Sequence, residues 1–244
     1  MNIPSGARSF SPTGTADGRM LEGIVIVNKP KGITSHDVVD RVRGKFKMRR
    51  VGHAGTLDPL ATGVLVILLG RATKKFSSFE ACDKAYEATL ILGTKTNTAD
   101  IQGKVIENKP YDHITKDMFL EVLKTFEGEI EQQPPMVSAV KVKGKRLYQL
   151  ARRGIEAERP TRIVSIQKLQ LLNFSTPEVK FSVQCSKGMY VRQLAEDIGE
   201  KLGSSACITQ IERTKVGPYD ITCAVSLEEL HERHVLPASS LKAA

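Results

Sequence analysis

The chain has 244 residues, of which 41% are hydrophobic, and it carries a formal net charge of +9. This size and apolar content are ordinary for a globular protein with one substantial core, and no apolar run approaches the ~20 residues that cross a bilayer. The four cysteines are far apart without metal-ligand pairing, so we expect neither a zinc site nor a disulfide framework. The positive charge favours a polyanionic partner, and the lack of a signal-peptide hydrophobic region predicts a cytoplasmic protein.

The N-terminal third predicts strands around one amphipathic helix. Residues 1–20 are rich in Ser, Gly, Pro and Thr, and we expect a flexible tail there. A strand is predicted over 21–28. In the segment 35–46, the apolar residues fall on one helical stripe and the arginines on the other face. The glycine-rich tract 52–65 is predicted to be a loop, with a strand at 66–70.

The rest of the chain predicts two more strands and four helices. Strands are expected over 86–92 and 179–186, the second because apolar and polar residues alternate there. Helices are expected over 115–126, over 147–153 within a basic insert, and over 191–202, where Gly203 ends the apolar stripe. Ser226 and Glu229 form the pattern of a capping box and predict a last short helix. The predicted strands and helices do not alternate in a regular βαβ rhythm, so the predicted class is α+β.

One acidic residue stands in a setting that favours chemistry. Asp58 lies between Gly55 and Gly63, directly before Pro59 and just ahead of the apolar strand. An isolated Asp-Pro pair is most often a turn, because Asp is favoured there. Three glycines, a proline and a histidine within fourteen residues, however, require special backbone angles and close approach. Asp58 is therefore the candidate catalytic acid.

Basic residues cluster in two places. One cluster lies within residues 41–50 and includes Arg49 and Arg50, and the other lies within 141–153 and includes Lys141, Lys143 and Lys145. Each cluster could equally be a solvated face of a helix or hairpin. Their occurrence beside a candidate catalytic loop favours contact with the phosphates of a nucleic acid.

Four tracts in a fixed order resemble one known family. They are GIVIVNKPKGITSHDVV at 23–39, GHAGTLDPLATGVL at 52–65, QPPMVSAVKVKGKRLY at 133–148 and CSKGMYVRQLAEDIG at 185–199. Together they resemble the TruB family of tRNA pseudouridine synthases over residues 21–230. The resemblance implies the pseudouridine synthase fold, a mixed and largely antiparallel sheet with flanking helices. It also implies a catalytic domain at 21–235, a thumb insertion at about 133–162, and a short tail at 236–244 in place of a PUA domain.

The resemblance also implies a reaction and the residues that perform it. The reaction is isomerisation of the T-loop uridine of tRNA, position 55, to pseudouridine, with no cofactor and no metal. Asp58 matches the family's nucleophile, Arg192 the arginine that pairs with it inside an apolar pocket, and Tyr86 the tyrosine that stacks on the target base. Further substrate-binding positions are matched by His53, Tyr190 and Ile211.

Some positions depart from the family pattern, and other interpretations stay open. Met189 replaces a small hydroxylated residue, and Cys207 and Glu212 replace a His and an Arg, which we expect to alter RNA affinity at the pocket rim. The retained thumb region predicts a monomer that acts on the tRNA T-arm without a guide RNA. One alternative is the same isomerase with a broader set of RNA targets. Another is a non-catalytic protein that binds or folds tRNA, although binding alone would not require a buried charge pair.

Overall fold

A mixed sheet is the framework of the molecule. The structure is a computed structural model and describes residues 21–136, 138, 141–142, 144–147, 155 and 157–237. The predicted tail at 1–20, most of the predicted helix at 147–153, Lys143 and residues 238–244 lie outside the described residues. The strands are β1 (Gly23–Lys29), β2 (Val51–Ala54), β3 (Thr62–Leu69), β4 (Lys84–Leu92), β5 (Thr94–Thr96), β6 (Val105–Asn108), β7 (Gly128–Gln132), β8 (Lys141–Val142), β9 (Lys145–Arg146), β10 (Arg162–Ser175), β11 (Glu178–Cys185), β12 (Ala206–Val216) and β13 (Tyr219–Asp220).

Nine of these strands form one sheet. Its main path runs β1-β3-β12-β4-β11-β10-β7, with β2 paired to β3 and β13 paired to β12. The pairing of β12 with β3 is parallel, whereas the other pairs in this sheet are antiparallel. Two small hairpins, β5-β6 and β8-β9, stand apart from it. The predicted mixed, mostly antiparallel sheet is confirmed.

Three helices cover one face of the sheet, and a short fourth helix packs on the other. They are α1 (Ser35–Phe46), α2 (Phe76–Glu80), α3 (Lys116–Lys124) and α4 (Val191–Lys201). The apolar stripes of α1, α3 and α4 pack into the main core with β4, β10, β11 and β12. A smaller core on the opposite side joins β1 and β3 to Phe79 and Tyr219. Strand β3 is thus buried on both faces, which explains why its sequence is almost continuously apolar.

A capping box begins helix α1, and a left-handed residue ends it. The Thr34 hydroxyl accepts from the Asp37 amide at 3.0 Å, and the Asp37 carboxylate accepts from the Thr34 amide at 2.7 Å. This reciprocal capping box satisfies two amides that the first turn would leave unpaired. The helix ends at Lys47, which adopts a left-handed conformation with φ of 50°. The predicted helix over 35–46 is confirmed.

The prediction of a loop over 52–65 is wrong in part. The loop is shorter, because residues 51–54 and 62–65 belong to β2 and β3. The cause is long-range pairing: β3 bonds to β1, β2 and β12, and a short sequence window does not reveal such partners. The loop proper is residues 55–61, which we call the Asp58 loop.

The predicted helix after Ser226 does not form. The Ser226 hydroxyl does bond the Glu229 amide at 3.2 Å and its carboxylate at 3.0 Å, yet the chain only turns there. Both ends of this segment are tied to β1, through Val225 to Ile26 and Leu236 to Ile24. A single 3₁₀ turn, Glu232–His234, is the only helical part. The backbone bonds to β1 override the local capping signal.

Candidate active site

The Asp58 loop presents its carboxylate to an open pocket. Gly55, with φ of +79°, turns the chain out of β2, and the Ala61 amide donates to the Asp58 carbonyl at 3.0 Å to close a tight turn. The Asp58 side chain is 41% exposed. The resemblance implied a carboxylate inside an apolar pocket, and in the structure this carboxylate faces a pocket that solvent can enter.

The tract at 23–39 supports the Asp58 loop. Ser35, the first residue of α1, accepts from the Leu57 amide at 2.8 Å and donates to the Leu57 carbonyl at 3.1 Å. The buried Lys29 ammonium donates to the carbonyls of Pro30 and Ile33 at 2.9 and 2.8 Å. Burial lowers the pKa of Lys29 to about 8, while the charge of Asp58 acts in the opposite direction. The tract at 23–39 therefore belongs to the site as the support of the loop.

Arg192 pairs with Asp58, as the resemblance implied. Its Nε donates to Asp58 Oδ2 at 2.8 Å from the first turn of α4, and the arginine side chain is 4% exposed. Charge-assisted bonds of this kind are stronger than neutral ones. The Arg192 Nη1 atom donates to the Thr98 carbonyl at 2.7 Å, so the guanidinium is fixed on two sides.

A second carboxylate lies beside the same arginine. Asp100 Oδ2 is 3.7 Å from Arg192 Nη1, and its other oxygen accepts from the Thr98 hydroxyl at 2.8 Å and the Gln102 amide at 3.0 Å. The sequence analysis missed this residue. Its local sequence, Thr98-Ala99-Asp100, has the composition of an ordinary turn, and only the fold brings it to α4.

Aromatic and apolar side chains complete the pocket. Tyr86 on β4, Tyr190 before α4 and Ile211 on β12 all line it together with Asp58 and Arg192. Burial raises the pKa of both phenols, so each stays neutral and protonated near neutral pH. The structure thus brings five of the predicted site residues to one place.

Another residue that the sequence did not reveal fixes Tyr190. The buried Gln132 side chain accepts from the Tyr190 amide at 2.7 Å and donates to the Tyr190 carbonyl at 3.1 Å. This two-point contact sets the backbone two residues before Arg192. Gln132 ends β7 and directly precedes the motif at 133–148, which is the one signal that pointed to it.

His53 lies on β2, beside the pocket but not among the residues that line it. Burial lowers its pKa to about 4, with the charges of Arg213 and His36 acting in the same direction. The imidazole is therefore neutral near pH 7. A neutral ring suits packing against a base better than pairing with a phosphate.

The comparisons with known proteins agree on one family. The model of the TruB family pseudouridylate synthase N-terminal domain matches residues 43–191, and that of the tRNA pseudouridylate synthase B C-terminal domain matches 192–242. The chain is 46% identical to a tRNA pseudouridine synthase B from Syntrophotalea carbinolica, over 86% of this chain and 69% of that protein. A tRNA pseudouridine synthase B from Clostridium tetani is 44% identical over 88% of this chain and 74% of its own length. The chain belongs to the TruB family.

Solved structures of related proteins have the same fold. A Cbf5-Nop10-Gar1 complex contains a chain that is similar with a TM-score of 0.70 and 27% identity, over 88% of this chain and 60% of that one. A chain of the archaeal box H/ACA sRNP Nop10-Cbf5 complex is similar with a TM-score of 0.65 and 25% identity, over 90% of this chain and 56% of that one. The predicted pseudouridine synthase fold is confirmed.

Of the basic residues predicted to face RNA, Arg49 and Arg50 are exposed and directly precede β2. Arg50 Nε donates to the Thr73 hydroxyl at 2.8 Å. Thr73 lies in the 3₁₀ helix Gly70–Lys75, in which Lys74 is also exposed. Lys141 and Lys145 lie on the hairpin β8-β9. Lys143 between them is outside the described residues.

The departures from the TruB pattern lie in different surroundings. Met189 is buried and lines the pocket. Cys207 is fully buried on β12, and burial raises its thiol pKa to about 11, so the expectation that it stands at the pocket rim is wrong. Glu212 lies on the opposite face of β12 from Arg213, because neighbouring residues of a strand point to opposite sides. The charge of Glu212 therefore does not face the pocket that Asp58 and Arg192 line.

Within the described residues, no helix is long and apolar enough to cross a membrane. In the same part of the chain, no three His, Cys, Asp or Glu side chains are grouped so that they could hold a metal ion.

Proposed function

We propose that this TruB-family chain isomerises uridine 55 in the T-loop of tRNA to pseudouridine, with Asp58 as the nucleophile. The observation that carries the proposal is the Asp58–Arg192 pair at 2.8 Å in a pocket walled by two phenols and Ile211. The names of the relatives, tRNA pseudouridine synthase B, support tRNA as the substrate. We further propose that the chain acts on the T-arm in the cytoplasm as a monomer, without a guide RNA.

The reaction exchanges one bond to the ribose for another. The N-glycosidic bond between C1′ and N1 breaks, and the electron pair leaves with the uracil. Asp58 supports this step as a carboxylate nucleophile, through a covalent or glycal intermediate. The uracil then rotates, C5 bonds to C1′, the proton on C5 is lost, and N1 takes up a proton. No electron is gained or lost overall.

Arg192 pairs with the carboxylate and orients it for this step. An isolated carboxylate covered by a bound nucleoside would lose its solvation, and a neighbouring guanidinium compensates for that loss. Asp58 is 41% exposed in the free protein, so the substrate itself would complete its burial. The arginine is in place beforehand, at 4% exposure.

The phenol of Tyr86 stacks on the flipped uracil and moves a proton during the rearrangement. Because the pKa of Tyr86 is raised by burial, the group is protonated at neutral pH and can act as a donor. Ile211 and Tyr190 line the same pocket and supply apolar and aromatic surface to it. Together they offset the few kcal/mol that flipping a base requires.

His53 fills the space that the flipped base leaves, and its neutral imidazole fits that role. The exposed Arg49 and Arg50 contact the phosphates of the T-arm near that position, and Lys141, Lys143 and Lys145 contact them from the insert. Phosphate contacts position the RNA without reading its sequence.

The test is the substitution Asp58→Asn, which is nearly isosteric but cannot serve as a nucleophile. We expect no pseudouridine in an unmodified tRNA transcript mapped at single-nucleotide resolution, with tRNA affinity within about tenfold of the parent. The matched control is Asp197→Asn on α4, since that carboxylate is also partly buried but lies outside the pocket. Measurable product from Asp58→Asn would refute the assignment. A parent protein that binds tRNA without making pseudouridine would instead favour the non-catalytic tRNA-binding alternative.

A further inference from the structure

A buried arginine in the wall of the pocket donates hydrogen bonds to three backbone carbonyl groups. Arg213 on β12 is 1% exposed. Its Nε donates to the Val64 carbonyl at 2.7 Å, Nη2 to the Gly55 carbonyl at 2.9 Å, and Nη1 to the Thr56 carbonyl at 3.5 Å. Among the described residues, no carboxylate lies within salt-bridge distance of its guanidinium. Burying a charge without a counter-ion costs stability, so this arrangement requires another explanation.

The acceptors lie at both ends of the Asp58 loop. Gly55 and Thr56 begin the loop, and Val64 follows its end on β3. The Arg213 backbone also contacts that end, because it is the parallel partner of Gly63. A Cβ atom at Gly63, where φ is +97°, would lie 2.3 Å from the Arg213 carbonyl oxygen, so only glycine permits this approach. One residue therefore holds both ends of the loop that carries the nucleophile.

Arg213 also lies beside the pocket phenol. It is the cross-strand neighbour of Tyr86 in the β12-β4 pair, and both side chains line the pocket. The positive charge of Arg213 acts to lower the pKa of the Tyr86 phenol, against the larger rise that burial causes. A phenol beside a cation is best placed with its oxygen toward the positive charge and its proton directed away from it, here into the pocket that Tyr86 lines.

We propose that Arg213 is a positioning residue that locks the Asp58 loop at both ends and aims the Tyr86 hydroxyl into the pocket. It fixes the geometry between the nucleophile and the phenol through the backbone of the loop and its place beside Tyr86. This role rests on the proposed function for its effect on turnover, but the locking of the loop is independent of it. Small displacements of reacting groups cost large factors in rate, which explains why a buried charge would be retained here.

The pH dependence of the reaction should report the contact with Tyr86. The charged or titratable groups that face this phenol are Arg213 on β12, Cys185 on β11 and Asp58 on the loop. Burial raises the pKa of Tyr86, and the positive charge of Arg213 acts against that rise. Removing the guanidinium should therefore raise the pKa further. The part of the pH-rate profile that follows Tyr86 should then move to higher pH.

The experiment compares the parent with Arg213→Gln and Arg213→Lys on an unmodified tRNA transcript. We expect kcat to fall about 10- to 100-fold in both variants while KM changes by less than about threefold. Hydrogen exchange of the amides in residues 55–63 should be faster in both, because neither side chain can make all three carbonyl bonds. The pH-rate profile should move upward in Arg213→Gln and much less in Arg213→Lys, which keeps the charge.

The control is Leu123→Ala, a buried position on α3 in the main core and outside the pocket. It should lower the melting temperature but leave the pH profile and the exchange of residues 55–63 unchanged. Arg213 variants that behave like Leu123→Ala in all three measurements would overturn the proposal. If Arg213→Gln fails to fold, full activity and normal loop exchange in Arg213→Lys would overturn it. A parent protein that makes no pseudouridine would refute the proposed function, and the exchange data would still decide whether Arg213 locks the loop.

Discussion

Arg192 divides its hydrogen bonds between a carboxylate that faces the pocket and groups that do not. Its Nε atom donates to the Asp58 carboxylate, and its Nη1 atom donates to the Thr98 carbonyl. The Asp100 carboxylate is farther away, at 3.7 Å from Nη1. Asp100 is itself fixed by the Thr98 hydroxyl and the Gln102 amide. The hairpin β5-β6, from whose connecting turn Asp100 comes, thus sets the position of the guanidinium, and the guanidinium sets the position of the nucleophile.

We expect Asp100→Asn to lower kcat about 10- to 100-fold with little change in tRNA affinity. The amide keeps the shape of the side chain but removes the negative charge beside Arg192, so the guanidinium loses one of its two anionic neighbours. Steady-state kinetics on unmodified tRNA measures the effect. Asp112→Asn, at an exposed position, is the matched control. A change in KM alone would show that Asp100 serves RNA binding instead.

The sequence revealed those site residues that lie in a distinctive local motif. Asp58 has an unusual glycine-rich setting, and Arg192 was identified through the resemblance to TruB. Asp100, Gln132 and Arg213 have no such setting, because an Asp in a turn, a Gln at the end of a strand and an Arg in a strand are each ordinary. Their roles depend on which backbone atoms the fold places beside them, and those atoms come from distant segments.

Among the elements, three neighbours hold the Asp58 loop in addition to its own Ala61–Asp58 hydrogen bond. Ser35 reaches it from α1, Lys29 from the end of β1 and Arg213 from β12. Each contact is to a backbone group of the loop. The loop therefore keeps its shape while its side chains remain available to the pocket.

We expect Ser35→Ala to destabilise the protein by about 1–3 kcal/mol and to lower kcat as well. The change leaves the Leu57 amide and carbonyl without their hydroxyl partner in a buried position. Chemical denaturation gives the free energy of unfolding, and turnover of unmodified tRNA gives the rate. Ser226→Ala is the control, since that hydroxyl bonds only Glu229 at the surface. If both variants have the same stability and rate as the parent, the Ser35 contact does not hold the loop.

Periodic elements were predicted well, and paired elements were not. The helices α1, α3 and α4 agree with the predicted segments to within two residues, because an apolar stripe fixes a helix locally. Strand β11 was equally clear from its alternation. The start of β3 and the whole of β2 were missed because their glycine-rich sequences become strands only through partners. The segment after Ser226 failed for the converse reason, since bonds to β1 prevent the helix that its sequence would start.

At the scale of the whole molecule, the basic cluster at 41–50 is divided between structure and surface. Arg43 bonds Asp40 and the Val51 carbonyl, and Lys45 donates to the carbonyls of Leu227 and Glu228. These two cations stabilise the fold and are less available to RNA. Arg49 and Arg50 remain exposed, and the Arg50–Thr73 bond brings them next to the turn that carries Lys74. This surface, which we define as Arg49, Arg50 and Lys74, lies beside β2 and His53.

We expect the double variant Arg49→Gln with Lys74→Gln to weaken tRNA binding and to make it less dependent on salt. Each phosphate contact contributes about 0.7 to 0.9 to the slope of log affinity against log salt, so losing two contacts should reduce the slope by roughly 1.4 to 1.8. The uridine that is modified should stay the same, because phosphate contacts position the RNA without reading it. Binding titrations at several salt concentrations, with mapping of the product, measure both quantities.

The matched control is Lys116→Gln with Lys124→Gln on α3, which removes the same formal charge. This helix packs on β10, at the far end of the sheet from β2, so its lysines should not contact an RNA bound at the Arg49, Arg50 and Lys74 surface. Net charge alone would lower affinity by the same amount in both double variants, since long-range attraction depends mainly on the total. Equal slopes in the two variants would therefore show that this surface attracts RNA only through overall charge. A lower slope in the first variant alone would place the T-arm next to His53, where the flipped uridine leaves its gap.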